Sequence, residues 1–189
     1  MTAVWPSRYA CAPDLGGAHG QYEMRPLAWA DREPIRRWRN EQIDVLRQRG
    51  PLTQADQDRY YLDVVAPQFG RAEPAQVLVA VEFDGVLIGY GGVVHLAWGD
   101  LRGEVSFLTD TGRLDAQTFA SDWRAYLAML VPAARDQIGL HKLTTETYAV
   151  RTGLFPLLEE AGFVQEGTLR EHHDLDGTWV DSIAHGLLL

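Results

Sequence analysis

The sequence predicts one α/β domain, a mixed, mostly antiparallel central sheet flanked by helices. Three observations carry that reading. The 189 residues suffice for one sizeable core and are few for two. Strand-like and helix-like stretches interleave in the order βααβββαβαββ, with no internal repeat. Two hairpin signals, Asp84-Gly85 and Asp176-Gly177, join long neighbouring strands.

Each element has its own justification. Residues 1–20 carry Pro6, Pro13, Gly16, Gly17 and Gly20 without a period and read as an extension or loop before a domain of residues 21–189. Gln21–Leu27 alternates and reads as the first strand. Ala30–Arg39 is helical: Asp31, Arg32, Glu33 and Pro34 suit an early turn, and Ile35 and Trp38 share a face. Thr53 caps a second helix, Gln54 to Asp63. Gln76–Phe83 is a near-continuous apolar run, as in a strand buried on both faces. Val86–Leu96 returns beside it, and its Gly91-Gly92 pair marks a bulge or a close backbone approach. After the loop Gly99–Gly103, Glu104–Thr109 puts Glu104, Ser106 and Leu108 on one face and Val105, Phe107 and Thr109 on the other. Phe119, Trp123, Tyr126, Leu127, Leu130 and Ala134 keep helical spacing within Ala116–Gln137, where Pro132 kinks the helix or ends its regular part. Lys142–Tyr148 is a strand. Gly153–Ala161 is a helix with Pro156 in its first turn and Gly162 as its stop. Phe163–His173 and Thr178–Leu188 form the last hairpin.

Composition excludes several classes. With 46% hydrophobic and 23% charged residues, the chain is neither collagenous nor a disordered tail. Cys11 is the only cysteine, which rules out an intrachain disulfide and a site of several thiolates. No apolar run approaches the ~20 residues that span a bilayer. The first twenty residues lack the order of a signal peptide, so a cytoplasmic protein is expected. The net charge of −9 opposes nucleic-acid coating. Lys142 is the only lysine among 17 basic residues. That arginine bias reflects GC-rich coding or serves bidentate recognition of phosphate and carboxylate. His172 and His173 are adjacent, so a regular strand points them to opposite faces, where they chelate one ion poorly. His141 and His185 add no second-shell pattern, and no metal is expected. Serine-hydrolase, Walker and dinucleotide signatures are absent.

The C-terminal passage Leu154-Phe155-x3-Glu159-Glu160-Ala161-Gly162-Phe163-x2-Glu166-Gly167-x2-Arg170 resembles the helix-Gly-Phe-strand passage of the GNAT superfamily of acyl-CoA N-acyltransferases. The hairpin Gly177-x-x-x-Asp181 and the tripeptide Trp38-Arg39-Asn40 are similar to its branch of ribosomal-protein N-terminal and related acetyltransferases. Together they span roughly Tyr22 to Leu189. The stretch Gly89-Tyr90-Gly91-Gly92-Val93-Val94-His95, then Trp98, then Glu104 to Leu108, looks like a subgroup that acetylates nucleotide-linked amino deoxysugars. The resemblance implies a GNAT-like fold, acetyl-CoA as donor and a sugar on a nucleoside diphosphate, dTDP by preference, as acceptor. Two departures stand out. The family's glycine-rich pyrophosphate loop is reduced to Gly112 in Asp110 to Phe119, which leaves Arg113 as a charged substitute and puts Asp115 near the helix start. Phe155 stands where many members carry a tyrosine that protonates the leaving thiolate, with Tyr148 as a substitute.

Acetyl transfer to an amine needs a neutral amine, a polarised carbonyl, a route for the proton and alignment. By the resemblance, the acetyl group lies beside Phe107, Leu108 and Thr109, with pantetheine bonded to the strand backbone. Glu104 is the first candidate base; its other reading is a rim carboxylate paired with an arginine such as Arg102. His95 is the second, or else a substrate hydrogen bond or a satisfied strand-end histidine. Trp38, Arg39 and Asn40 line the acceptor side, with Arg39 on phosphate and Trp38 stacked on a base or sugar; the other reading makes Trp38 core and Arg39 a helix cap. Tyr90 and Trp98 carry the same two readings. Lys142 meets a phosphate or lies in solvent. No nucleophile is evident, which implies direct attack in a ternary complex. Exposed aromatics leave room for a homodimer. The rivals are a protein N-terminal or antibiotic acetyltransferase, and a non-catalytic binding module that has lost coenzyme A.

Overall fold

The computed structural model describes residues 4–46, 48 and 50–189. Among them eight strands form one sheet: β1 (Gly17–His19), β2 (Tyr22–Pro26), β3 (Val77–Phe83), β4 (Val86–Ala97), β5 (Arg102–Thr109), β6 (Lys142–Tyr148), β7 (Val164–Leu175) and β8 (Thr178–Leu188). Their order is β1-β2-β3-β4-β5-β6-β8-β7. Every neighbouring pair is antiparallel except β5 and β6. The helical segments are α1 (Arg32–Glu41), α2 (Gln54–Tyr60), α3 (Ala66–Phe69), α4 (Ala116–Pro132) and α5 (Phe155–Glu160). The expected mixed, mostly antiparallel α/β architecture is present.

Local chemistry accounts for the boundaries. Asp84 and Gly85 take φ of 50° and 73°, and Asp176 and Gly177 take 51° and 85°. Two successive left-handed residues match the right-handed twist of a hairpin, and Asp-Gly adopts them at low cost. Thr53 accepts from the Asp56 amide, and Asp56 returns a bond from the Thr53 amide, which closes the start of α2. Pro132 ends the regular part of α4, a wider turn runs over Ala133–Ile138, and Gly139 at φ 82° stops it. Gly162 at φ 93° does the same after α5. Val79, Ala80 and Val81 are wholly buried, as the apolar run predicts for β3. Trp38, Tyr61, Tyr126, Leu130 and Leu158 fill the space between sheet and helices.

Residues 4–20 pack against the domain. Tyr9, Ala12 and Leu15 are buried, the Tyr9 ring stacks on Phe69 at 4.0 Å, and its hydroxyl meets both backbone groups of Leu78. Gly17–His19 then adds an edge strand against β2. The scattered Gly and Pro hid three core residues that follow no helical or strand period. In β4 the close backbone approach expected at Gly91-Gly92 is present. A Cβ on Gly91 meets the Ser106 carbonyl and one on Gly92 meets the Val77 carbonyl. The β4–β5 register shifts later, between Val94 and Ala97, around His95 at φ 51°.

Candidate active-site cleft

Among the described residues the only parallel pairing in the sheet, β5 with β6, opens a cleft. β5 and β6 pair from Arg102–Lys142 to Glu104–Thr144 and then part. Beyond Glu104 the β5 edge that faces β6 has left the ladder. The gap is a cleft of about 320 Å³. Glu104, Ser106 and Phe107 line it from β5, and Glu146 and Tyr148 from β6. His95 enters from the β4 irregularity, Arg39 from α1, Trp123 from α4, and Arg151 and Leu154 from the turn before α5.

β5 is held at this point by a tyrosine. Gly92 and Ser106 are cross-strand partners, yet the Gly92 amide donates to the Tyr126 hydroxyl at 2.6 Å, which donates to the Ser106 carbonyl at 2.6 Å. The Phe107 ring stacks on Tyr126 at 4.0 Å. Burial pushes the Tyr126 hydroxyl far above its ordinary range, so it stays a donor at any working pH.

Charge in the cleft is of both signs. Glu104 and Glu146 face it with Arg39 and Arg151. Burial pulls the Arg151 guanidinium below its ordinary value. Arg39 donates to the Tyr90 hydroxyl at 2.6 Å and to Gln48 at 3.0 Å. It also borders a second cavity of about 210 Å³ shared with Tyr90, Tyr60 and Asp56. Arg39 and Tyr90 thus link the cleft to a pocket between α1 and α2.

The structure brings Glu104, His95, Tyr148, Phe107 and Arg39 together and leaves other candidates elsewhere. Arg102 pairs with Asp100 at 3.5 Å. Trp38 is 1% exposed and belongs to the core, so it does not stack on a ligand. Asn40 clamps both backbone groups of Leu52. Trp98 donates to the Pro74 carbonyl at 2.8 Å. Lys142 pairs with Glu166 at 2.6 Å on the surface. Leu108 and Thr109 are buried on β5 next to the cleft residues, and the Thr109 carbonyl accepts from Gln42. Phe155 packs near His185 at 5.6 Å, and its neighbour Leu154 is the residue that reaches the cleft.

Arg113 is committed inward. Its guanidinium makes two bonds, 2.7 and 2.8 Å, to Asp122, a carboxylate with no solvent exposure that also accepts from Tyr22. The hydrogen bond to Asp122 raises the arginine's pKa. This corrects its reading as a phosphate contact: a buried carboxylate needs that charge more than a solvated ligand does. Arg113→Met is expected to cost about 3 kcal/mol in urea unfolding, because it strands Asp122. KM for acetyl-CoA should not move. A raised KM at unchanged stability would restore the phosphate role. At the same end, Asp110 accepts from the Gly112 amide and Asp115 from the Thr118 amide. The start of α4 is therefore capped by its own carboxylates, unlike a glycine-rich anion nest.

The sequence reading missed three groups. Glu146 lies two residues before Tyr148 on the same strand face, a signal that alternation supplies. Arg151 sits in an irregular turn and gives no signal. The adjacent histidines do not face opposite ways. The β7–β8 register shifts between Leu169 and His173, Glu171 takes φ 46°, and both rings reach Glu146.

Comparison with known proteins identifies the family. The family model described as an acetyltransferase (GNAT) domain matches residues 24–184. No curated protein matches the chain. A crystal structure of spermidine N-acetyltransferase from Vibrio cholerae with CoA and spermine aligns with a TM-score of 0.76 at 18% identity, covering 90% of this chain and 96% of that one. A dodecameric form of the Vibrio cholerae enzyme aligns at 0.75 and 20%, covering 90% and 95%. At such identities the likeness speaks for the fold. Family match and fold agree, and the chain belongs to the GNAT acetyltransferases, enzymes that take their acetyl group from acetyl-CoA.

Proposed function

We propose that this chain acetylates the amine of a nucleotide-linked amino deoxysugar, by direct attack on acetyl-CoA in a ternary complex. The observation that supports it is the mixed charge of one cleft. Glu104 and Glu146 suit an amine, while Arg39 and Arg151 suit the pyrophosphate of the carrier. The open β5 edge beside Phe107, Leu108 and Thr109 holds pantetheine and directs backbone N–H groups at the thioester oxygen. Glu104, directly or through water, accepts the amine proton, and His95 is the second candidate. Tyr148 returns a proton to the leaving thiolate. Arg39 and Tyr90 bind the nucleotide part.

A second reading, a polyamine acceptor, draws on the same two carboxylates, the net charge of −9 and the acceptor named for the structural neighbours. A panel separates them: dTDP-linked amino sugars, spermidine, an aminoglycoside and an N-terminal peptide, followed by thiol release. The proposal expects a nucleotide-linked sugar to lead spermidine by about 100-fold in kcat/KM, the weight of one or two charge-assisted contacts. Spermidine leading would replace it. No turnover, with no acetyl-CoA binding by calorimetry, would leave a non-catalytic module.

Cys11 tests the direct mechanism. It is half-buried against the core, and burial pushes its thiol up, away from the reactive thiolate. Cys11→Ala is expected to leave kcat within about twofold. A folded variant without activity would point to an acetyl-cysteine intermediate.

A further inference from the structure

We propose that Glu146, His172 and His173 form a site for a divalent transition-metal ion, Zn²⁺ above all, beside the acceptor cleft. The site depends on a local departure of β7 from regular pairing. Adjacent residues of a regular strand face opposite ways. Here the register shifts between Leu169 and His173, and Glu171 adopts φ 46° without being glycine. A side chain in that region is strained unless its surroundings hold it there. The Asp181 carboxylate does so, accepting from the Glu171 amide at 2.8 Å. Asp181 is the aspartate of the Gly-x-x-x-Asp hairpin, which gives that motif a task in placing the two rings.

The result is three donors from two strands. Both imidazole Nε2 atoms approach Glu146 Oε1, His173 at 2.9 Å and His172 at 3.8 Å. A tetrahedral ion with bonds of about 2.0–2.1 Å separates its donors by about 3.3 Å. The two distances bracket that value. All three donor atoms lie within 4.8 Å of one another, and among the described residues no other such trio occurs. The His173 ring rests against Tyr148 at 4.7 Å, which limits its rotation. Two imidazoles and one carboxylate suit Zn²⁺; Mg²⁺ and Ca²⁺ prefer oxygen, and Cu⁺ prefers sulfur. Three protein donors leave a fourth position for water or an amine.

Glu146 also lines the cleft. An ion that engages it removes one carboxylate from the acceptor's surroundings, so bound Zn²⁺ should inhibit competitively with the acceptor. That consequence rests on the proposed function; the binding itself does not.

The test is calorimetric titration of the full, tag-free chain with Zn²⁺, and with Mg²⁺ for comparison, in the absence of acetyl-CoA. One Zn²⁺ per chain at micromolar affinity is expected, with at least about 100-fold weaker binding in His172→Ala and in Glu146→Gln. Melting curves of the metal-free variants check folding, and the half-exposed His172 makes its replacement the safer one. No Zn²⁺ binding by the wild type, or equal affinity in His172→Ala, would overturn the site. Product formation measured by mass spectrometry then tests inhibition, which should vanish in His172→Ala and on chelation. Stoichiometric binding that the variants lose, in a chain that acetylates no sugar, keeps the site and removes the acceptor reading.

Discussion

Replacing Glu104 with glutamine is expected to lower kcat about 100-fold or more and to leave KM for acetyl-CoA within about threefold. Positioned acid–base groups contribute on the order of 10² to 10⁴ to rate. Glu104 occupies the last paired position before β5 and β6 part, and it lines the cleft. The amide keeps the shape and loses the capacity to accept a proton. His95→Asn is expected to cost far less, because His95 is exposed on an irregular stretch of β4. If the two effects are reversed, His95 is the base and Glu104 a positioning group.

Gly91→Ala is expected to lower stability by about 3 kcal/mol or more in urea unfolding, enough to remove most of the folded protein at elevated temperature. A Cβ there contacts the Ser106 carbonyl at once, the Tyr126 hydroxyl at 2.8 Å and the Phe107 Cα at 2.9 Å. Two of these are backbone atoms of a paired strand and cannot step aside. The third is the hydroxyl that joins Gly92 to Ser106. Overpacking in a close-packed interior costs about 1–3 kcal/mol, and breaking a buried hydrogen-bond pair adds to it. Gly112→Ala is the comparison. Its nearest neighbour is an Asp110 side-chain oxygen at 3.6 Å, so the added methyl fits. That variant should unfold like the wild type. A Gly91→Ala protein of unchanged stability would show that β4 and β5 are less tightly apposed than described.

The alternation of Glu104 to Thr109 and the run Gln76–Phe83 placed the central strands within a residue or two, because burial on one or both faces writes itself into the sequence period. Asp84-Gly85 and Asp176-Gly177 revealed their hairpins, since few other pairs tolerate two left-handed residues. The cleft was legible in part: Glu104 and Phe107 on β5, His95 on β4, Tyr148 on β6 and Arg39 on α1 all line it. Arg151 comes from a turn with no period, and the approach of His172 to Glu146 needs a shift of pairing partner that no local pattern encodes. Trp38 and Arg113 show the converse error. A tryptophan and an arginine look alike in sequence whether they meet a ligand or the core. Only the neighbours decide: the interior for Trp38, and the buried Asp122 for Arg113.

A cleft that recognises an amine and its anionic carrier together should discriminate by the carrier. The most direct measurement compares kcat/KM for one dTDP-linked amino sugar with that for the same sugar freed of its nucleotide. The account predicts at least about a 100-fold preference for the linked form, reduced about tenfold in Arg151→Ala with KM for acetyl-CoA unchanged. Equal rates for linked and free sugar, or an Arg151→Ala variant that discriminates as well as the wild type, would contradict it.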